Sequence, residues 1–310
     1  MKNLLFGLAT AALLVSTISF AAETAYPRAD LLVEPAELAA AGDNATWVVL
    51  DARDAAAFRQ GHVPGARWVD HAQWSKAFAE GQDAAEWSQR IGALGIAQDS
   101  RVVVYDASQS KDAARIWWIL RYWGVGDVRL LNGGWTGWQA GAFPVEQAEP
   151  ADQPAEFEAT AAPQRLATQG SLLDALPAGA LQIVDARSEG EYCGTSPLKN
   201  ARAGAIPGAK HLEWADLIDA QTHRFKPSAE LRKRFAAAGI DPQRPTATYC
   251  QSGGRASVMA FALELMGGQQ VQNYYRSWAE WGNSPDTPVE RPEPPQREPS
   301  QPERPPQPEQ

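Results

Sequence analysis

The stretch with the greatest capacity for chemistry is Tyr249-Cys250-Gln251-Ser252-Gly253-Gly254-Arg255-Ala256-Ser257. It follows a strand-like run and opens a helical pattern, so it reads as a strand–turn–helix junction. In an open parallel sheet, ligands bind at the carboxyl ends of the strands. A glycine-bearing turn there points several backbone N–H groups inward and makes an anion nest at the positive end of a helix. A thiol at the base of such a nest is stabilised as thiolate, the nucleophilic form. Gly253 and Gly254 permit the tight curl without Cβ clashes, and Arg255 adds a permanent positive charge. An isolated cysteine is more often a small buried hydrophobe. The strand–Cys–Gly–Gly–Arg–helix context reverses that balance and makes Cys250 the candidate nucleophile.

The elements around this loop are written twice. Val48-Val49-Leu50-Asp51-Ala52-Arg53 and Gly61-His62-Val63-Pro64-Gly65-Ala66 are answered by Ile183-Val184-Asp185-Ala186-Arg187 and Gly204-Ala205-Ile206-Pro207-Gly208-Ala209. Arg101-Val102-Val103-Val104-Tyr105-Asp106 is answered by Pro245-Thr246-Ala247-Thr248-Tyr249-Cys250. Gly134-Trp135-Thr136-Gly137-Trp138 is answered by Ser277-Trp278-Ala279-Glu280-Trp281, and Phe143-Pro144-Val145-Glu146 by Thr287-Pro288-Val289-Glu290. The offset is 134 at the first Asp and 143 at the Pro-Gly-Ala turn, so the second copy carries about nine extra residues between Asp185 and Gly208. A repeat this long means duplicated domains rather than a solenoid. Runs at 47–50, 102–105, 128–131, 181–184 and 246–249 predict buried strands. Helical spacing over Ala113 to Trp123 and Ser257 to Met266 predicts helices between them. Strands alternating with helices predict an α/β fold with a largely parallel sheet covered on both faces.

The formal net charge of -9 argues against nucleic acid or anionic lipid as the main partner. An anionic substrate must therefore meet a local positive site. Two cysteines, Cys193 and Cys250, are too few for a disulfide scaffold or a four-thiolate zinc site. His62, His71, His211 and His223 form no short ligand cluster; no metal or organic cofactor is implied. Trp117, Trp118, Trp123, Trp135 and Trp138 are assigned to the core. Residues 1–22 read as a secretory signal peptide, with Lys2, an apolar run from Leu4 to Val15, and small residues near Ala21. The run is short for a membrane span of about 20 residues, so cleavage and a periplasmic or secreted protein are expected, with no membrane contact. Residues 291–310 hold no aliphatic or aromatic side chain and read as a disordered, solvated tail of polyproline II character.

Taken together, the paired Asp-x-Arg and Gly-x-x-Pro-Gly-Ala turns, the Cys250 loop, and the closing Asn132-Gly133-Gly134-Trp135 and Ser277-Trp278-Ala279-Glu280-Trp281 segments resemble the tandem-domain rhodanese sulfurtransferases. The resemblance covers nearly everything between the signal peptide and the tail. It implies two tandem rhodanese-like, doubly wound parallel-sheet domains. The first, 27–148, would be catalytically silent, because Asp106 stands at the cysteine position. A linker, 149–164, leads to the catalytic domain, 165–290. The implied reaction moves a sulfane sulfur from an anionic donor to a thiophilic acceptor, cyanide or a thiol, through a Cys250 persulfide. Arg187 of the second Asp-x-Arg motif would bind the donor together with Gln251, Ser252, Gly253, Gly254 and Arg255. Arg53 would be structural and Asp106 a domain-interface residue. Family precedent implies a monomer with its site between the domains.

Loop length separates this chemistry from a phosphatase. Cys250 to Arg255 is C-x4-R, whereas related phosphatase and arsenate-reductase loops are C-x5-R and wrap a tetrahedral oxyanion. Thiosulfate is the favoured donor, because Arg255 would place charge where a dianion sits. Ser252-Gly253 keeps 3-mercaptopyruvate as the alternative. A second alternative is a persulfide carrier that serves a partner protein through the proline-rich tail. Cys193 reads as a small buried hydrophobe, with a redox partner for Cys250 as the other reading. His62 reads as ordering its own turn, with a proton carrier in the cleft as the other.

Overall fold

The computed structural model describes residues 25–41, 47–81, 83–151 and 153–293. The expected signal peptide and the tail beyond residue 293 lie outside them. The first sheet contains β1 (Leu32–Val33), β2 (Trp47–Asp51), β3 (Arg67–Trp68), β4 (Arg101–Tyr105) and β5 (Asp127–Leu131), in the order β1-β5-β4-β2-β3. The second contains β6 (Gln182–Asp185), β7 (Lys210–His211), β8 (Thr246–Tyr249) and β9 (Val271–Asn273), in the order β7-β6-β8-β9. Every pairing between these strands is parallel. A single parallel bridge, Leu166 to Asn273, stands where β1 pairs β5 in the first sheet. The repeat in the sequence is thus a repeat of sheet topology. β3, β7 and β9 are two or three residues long, too short to show a period.

Side chains alternate across the strands, and each face has its own core. Val49, Val103 and Tyr105 enter one cluster, while Leu50, Val102 and Val104 enter another. The second sheet sends Ile183, Ala247 and Tyr249 to a third cluster. Its Val184 joins the same core as Leu50 and Val104. That shared core is closed by two helices, Lys111–Tyr122 and Gly254–Leu265. Trp117 meets Phe261 edge-on at 4.9 Å, and Trp118 stacks on Tyr275 at 5.3 Å. Beyond its first turn the second helix is apolar nearly all round, as a helix buried on every side must be. Its buried Glu264 is answered by Arg165 at 2.5 Å. The segment 149–164 runs along the first domain: Ala155 donates to the Gly92 carbonyl, and Thr160 and Ala162 donate to those of Trp123 and Tyr122.

Both seam helices follow a strand that ends in a site residue, Asp106 after β4 and Cys250 after β8. Packing the two helices on each other therefore brings both loops to the boundary between the domains. The start of each helix lies two or three residues ahead of the apolar pattern, at Lys111 and Gly254. Their first turns are polar or glycine and carry no hydrophobic period.

Candidate active site

Cys250 is held from both sides of its peptide. Its N–H donates to Ser277 Oγ at 3.1 Å, and its carbonyl accepts from the Trp278 N–H at 3.0 Å. The Ser-Trp segment that closes the repeat thus grips the cysteine. Gly253 lies in the left-handed region, φ +89°, and caps the helix Gly254–Leu265 without any side-chain capping bond. Its N–H donates to Cys250 Sγ at 3.1 Å. Its carbonyl is pinned by Ser257 Oγ at 2.8 Å and Asn273 Nδ2 at 3.2 Å. The first-turn amides of that helix have no intrahelical carbonyl, so the loop is an uncapped nest with sulfur at its base. The sulfur residue is 1% exposed. A Cβ on Gly253 would lie 2.7 Å from the Tyr275 carbonyl oxygen. Gly253→Ala is therefore expected to lose about 1–3 kcal/mol of stability, read as a lower Tm. An unchanged Tm would show that the cap is not held as described.

The arginines chosen from the sequence are already occupied. Arg187 is a correction: the structure does not bring it into the cleft. It is 1% exposed, and its guanidinium binds the Asp185 carboxylate through Nε at 3.0 Å and Nη2 at 2.5 Å. Nη2 also donates to the Gly204 carbonyl at 2.7 Å, and the plane lies over Trp278 and Tyr249. Arg53 repeats this arrangement with Asp51, the Gly61 carbonyl, Trp135 and Tyr105. The Asp-x-Arg motif therefore ties the strand end to its Gly-x-x-Pro-Gly-Ala turn in both domains. Arg255 stands at the loop, but Glu191 takes its fork at 2.6 and 2.8 Å. Burial disfavours the Glu191 carboxylate, yet the Arg255 pair outweighs it and holds the group below the usual carboxylate range. Glu191 stands at the third helical position after the Ser188 cap, where the first copy has Ala57 after the Asp54 cap, so the first domain has no carboxylate at that place. Gln251 exchanges side-chain hydrogen bonds with Asn200, and Ser252 is exposed.

The structure adds a residue from the other domain. Arg115, on the helix Lys111–Tyr122, reaches across to the Ser252 carbonyl at 3.0 Å and Tyr275 Oη at 3.2 Å, and also donates to Ser75 Oγ. A Cβ on Gly254 would collide with its guanidinium, so Arg115 covers the opening turn of the Cys250 helix. A cleft of about 590 Å³ opens here, lined by His71, Ser75, Lys76, Arg115, Ser252 and Tyr275 among others. The signal was present in the sequence as an arginine inside Ala113-Ala114-Arg115-Ile116-Trp117-Trp118, an otherwise apolar run.

Asp106 fills its own loop instead of serving the interface, which corrects the second assignment. Its carboxylate accepts N–H bonds from Ser108 and Ser110 on one oxygen and from Asp112 and Ala113 on the other, at 2.8 to 3.1 Å. Burial and the neighbouring Asp112 push its pKa up. The helix cap comes four residues after Asp106 and three after Cys250. The longer loop sends four N–H groups to two oxygens; the shorter one sends the Gly253 N–H to a single sulfur. His62 is fully buried, stacks on Phe58 at 4.0 Å, and has Nδ1 3.0 Å from the Phe58 carbonyl. It orders its turn and does not face the cleft. Cys193 and Cys250 are free thiols. Burial, then Glu189 and Asp185, raise the pKa of Cys193, so it packs as a small hydrophobe.

A family model described as a rhodanese-like domain matches residues 34–141 and 168–284. A thiosulfate sulfurtransferase of Pseudomonas aeruginosa is 34% identical over 265 residues, covering 84% of this chain and 97% of the relative. Among solved structures, a 3-mercaptopyruvate sulfotransferase of Escherichia coli superposes with a TM-score of 0.72 at 28% identity, covering 80% of this chain and 98% of that one. EanB, captured as a cysteine persulfide with ergothioneine, superposes with a TM-score of 0.76 at 26% identity, covering 86% of this chain and 71% of that one.

Proposed function

Because the chain belongs to the rhodanese-like domain family, we propose that it is a sulfurtransferase that carries sulfane sulfur on Cys250 and takes it from thiosulfate. The observation that carries this reading is the Gly253 N–H aimed at Cys250 Sγ in an uncapped, three-residue turn. Such a turn favours negative charge on one atom at its base, first the thiolate and then the persulfide. The thiolate attacks the outer sulfur of thiosulfate. The S–S bond of the donor breaks, its electron pair leaves with sulfite, and Cys250 keeps one sulfur as Cys–S–S⁻. Cyanide or a thiolate then attacks that outer sulfur, and the pair returns to Cys250 as thiolate. No proton is consumed in the cyanide reaction. A nucleophile this buried admits a donor only end-on, which suits a single terminal sulfur. The thiosulfate sulfurtransferase of Pseudomonas aeruginosa supports that donor, while the Escherichia coli structure favours mercaptopyruvate as a second reading.

Intact mass separates the two donors. The full chain is incubated with thiosulfate or with 3-mercaptopyruvate, then with cyanide. The expected result is a gain of one sulfur atom, faster with thiosulfate, that cyanide removes. Faster loading by mercaptopyruvate would overturn the choice of donor. No gain with either would overturn the sulfur-transfer assignment of Cys250.

A further inference from the structure

An anionic donor entering this acidic protein needs a positive group that is not already neutralised. Among the described residues in or near the Cys250 loop and the cleft beside it, the charges are unequally committed. Arg187 belongs to Asp185 and Arg255 to Glu191. Arg276 faces Glu280 at 3.6 Å, and Lys76 faces Glu80 at 3.7 Å. Arg115 differs. Its bonds go to neutral oxygens of Ser75, Ser252 and Tyr275, and it makes no ion pair among the described residues. Its Nε is buried without a partner. Burial opposes its charge, but Tyr275, then Cys250 and Asp112, outweigh it and raise its pKa. A half-buried cation whose direct hydrogen-bond partners are all neutral is stabilised by an anion placed beside it.

We propose that Arg115, from the catalytically silent domain, binds the oxyanion end of the sulfur donor, a sulfonate or carboxylate, at the mouth of the Cys250 loop. This rests on the sulfur-transfer reading above. Arg115 lies against Gly254, the residue after the Gly253 whose N–H donates to Cys250 Sγ, so its guanidinium faces the same opening turn. One end of a short donor can meet the guanidinium while its terminal sulfur meets Cys250. The first domain has Asp106 where the second has its nucleophile, and contributes to binding instead. The Ser252 carbonyl, held by Arg115, keeps the two domains in register for that contact.

The test compares alkylation of Cys250 by iodoacetate, an anion, and iodoacetamide, its neutral counterpart, read on the Cys250 peptide by mass spectrometry. In the wild type the iodoacetate-to-iodoacetamide rate ratio should exceed that of N-acetylcysteinamide. In Arg115→Gln it should fall on the order of tenfold, with thiosulfate kcat/KM falling on the order of 10–100-fold. Arg115→Lys should keep most of the alkylation ratio while raising the KM for thiosulfate, because charge survives and the fork does not. A merely structural role would loosen the loop and speed both reagents together, leaving the ratio unchanged. That result, or a wild-type ratio no higher than that of the small thiol, overturns the proposal. If Arg115→Gln fails to fold, the wild-type ratio and Arg115→Lys still decide. Absence of persulfide in the wild type would overturn the function and leave the alkylation ratio to judge Arg115 by itself.

Discussion

Cys250→Ser is expected to lower thiocyanate formation from thiosulfate and cyanide by about 10³-fold or more, with Tm close to wild type. The hydroxyl is nearly isosteric and can still accept from the Gly253 N–H, so the loop should keep its shape. What disappears is the nucleophile. A serine hydroxyl at neutral pH is not an alkoxide in useful amount, and no neighbouring histidine stands ready to take its proton among the contacts of Cys250. Steady thiocyanate formation above about one part in a hundred of wild type would move the sulfur-carrying site elsewhere, with Cys193 as the next thiol to replace.

The first domain shows what the same loop does without a thiol. Asp106 occupies the equivalent strand end, and four amides close around its carboxylate. The nest is a property of the strand–turn–helix junction, and the side chain at its base decides its use. The Asp106 side chain takes up four of the loop amides with its two oxygens and leaves no place there for a ligand atom. A thiolate takes up only the Gly253 N–H and leaves the remaining first-turn amides for a second atom on the sulfur.

How legible this was depends on the range of the interaction. Cys250, Gly253 and Gly254 act within four residues of one another, and their spacing alone marks a strand-to-helix nest. The strands β2, β4, β5, β6 and β8 were likewise visible as β-branched runs, because a strand buried on both faces needs no partner to declare itself. The fate of each arginine was not visible. Arg255 is captured by Glu191, 64 residues earlier, at a position where the first copy has Ala57. Arg115 reaches Ser252 across 137 residues and a domain boundary, placed there by the packing of Trp117 on Phe261 and of Trp118 on Tyr275. Charge can be counted in a sequence; its neutralisation depends on which helices touch. Arg187 is the instructive case. The same Asp-Ala-Arg stands at 51–53 in a domain with no nucleophile, so the repeat itself pointed to a structural task.

That task makes a large prediction. Arg187→Ala is expected to cost about 3–5 kcal/mol, because it strands the Asp185 carboxylate, which is 0% exposed, without its cation. Burial alone would favour a neutral arginine, but Asp185 outweighs it and raises the pKa of Arg187, so the pair is charged at every pH at which Asp185 is ionised. For a chain of this size the loss corresponds to a fall in Tm of roughly 6–20 °C. Arg53→Ala should produce a fall of similar size, because Asp51 is equally buried and the bonds are the same. Well below the transition, the folded fraction of Arg187→Ala should bind thiosulfate with a KM close to wild type. A raised KM with an unchanged Tm would be the signature of a substrate-binding arginine and would reverse the assignment. The paired substitution is informative because the two arginines share every contact and only one domain has a cysteine. Equal losses in stability with little change in KM assign the motif to folding, and leave the donor to Arg115.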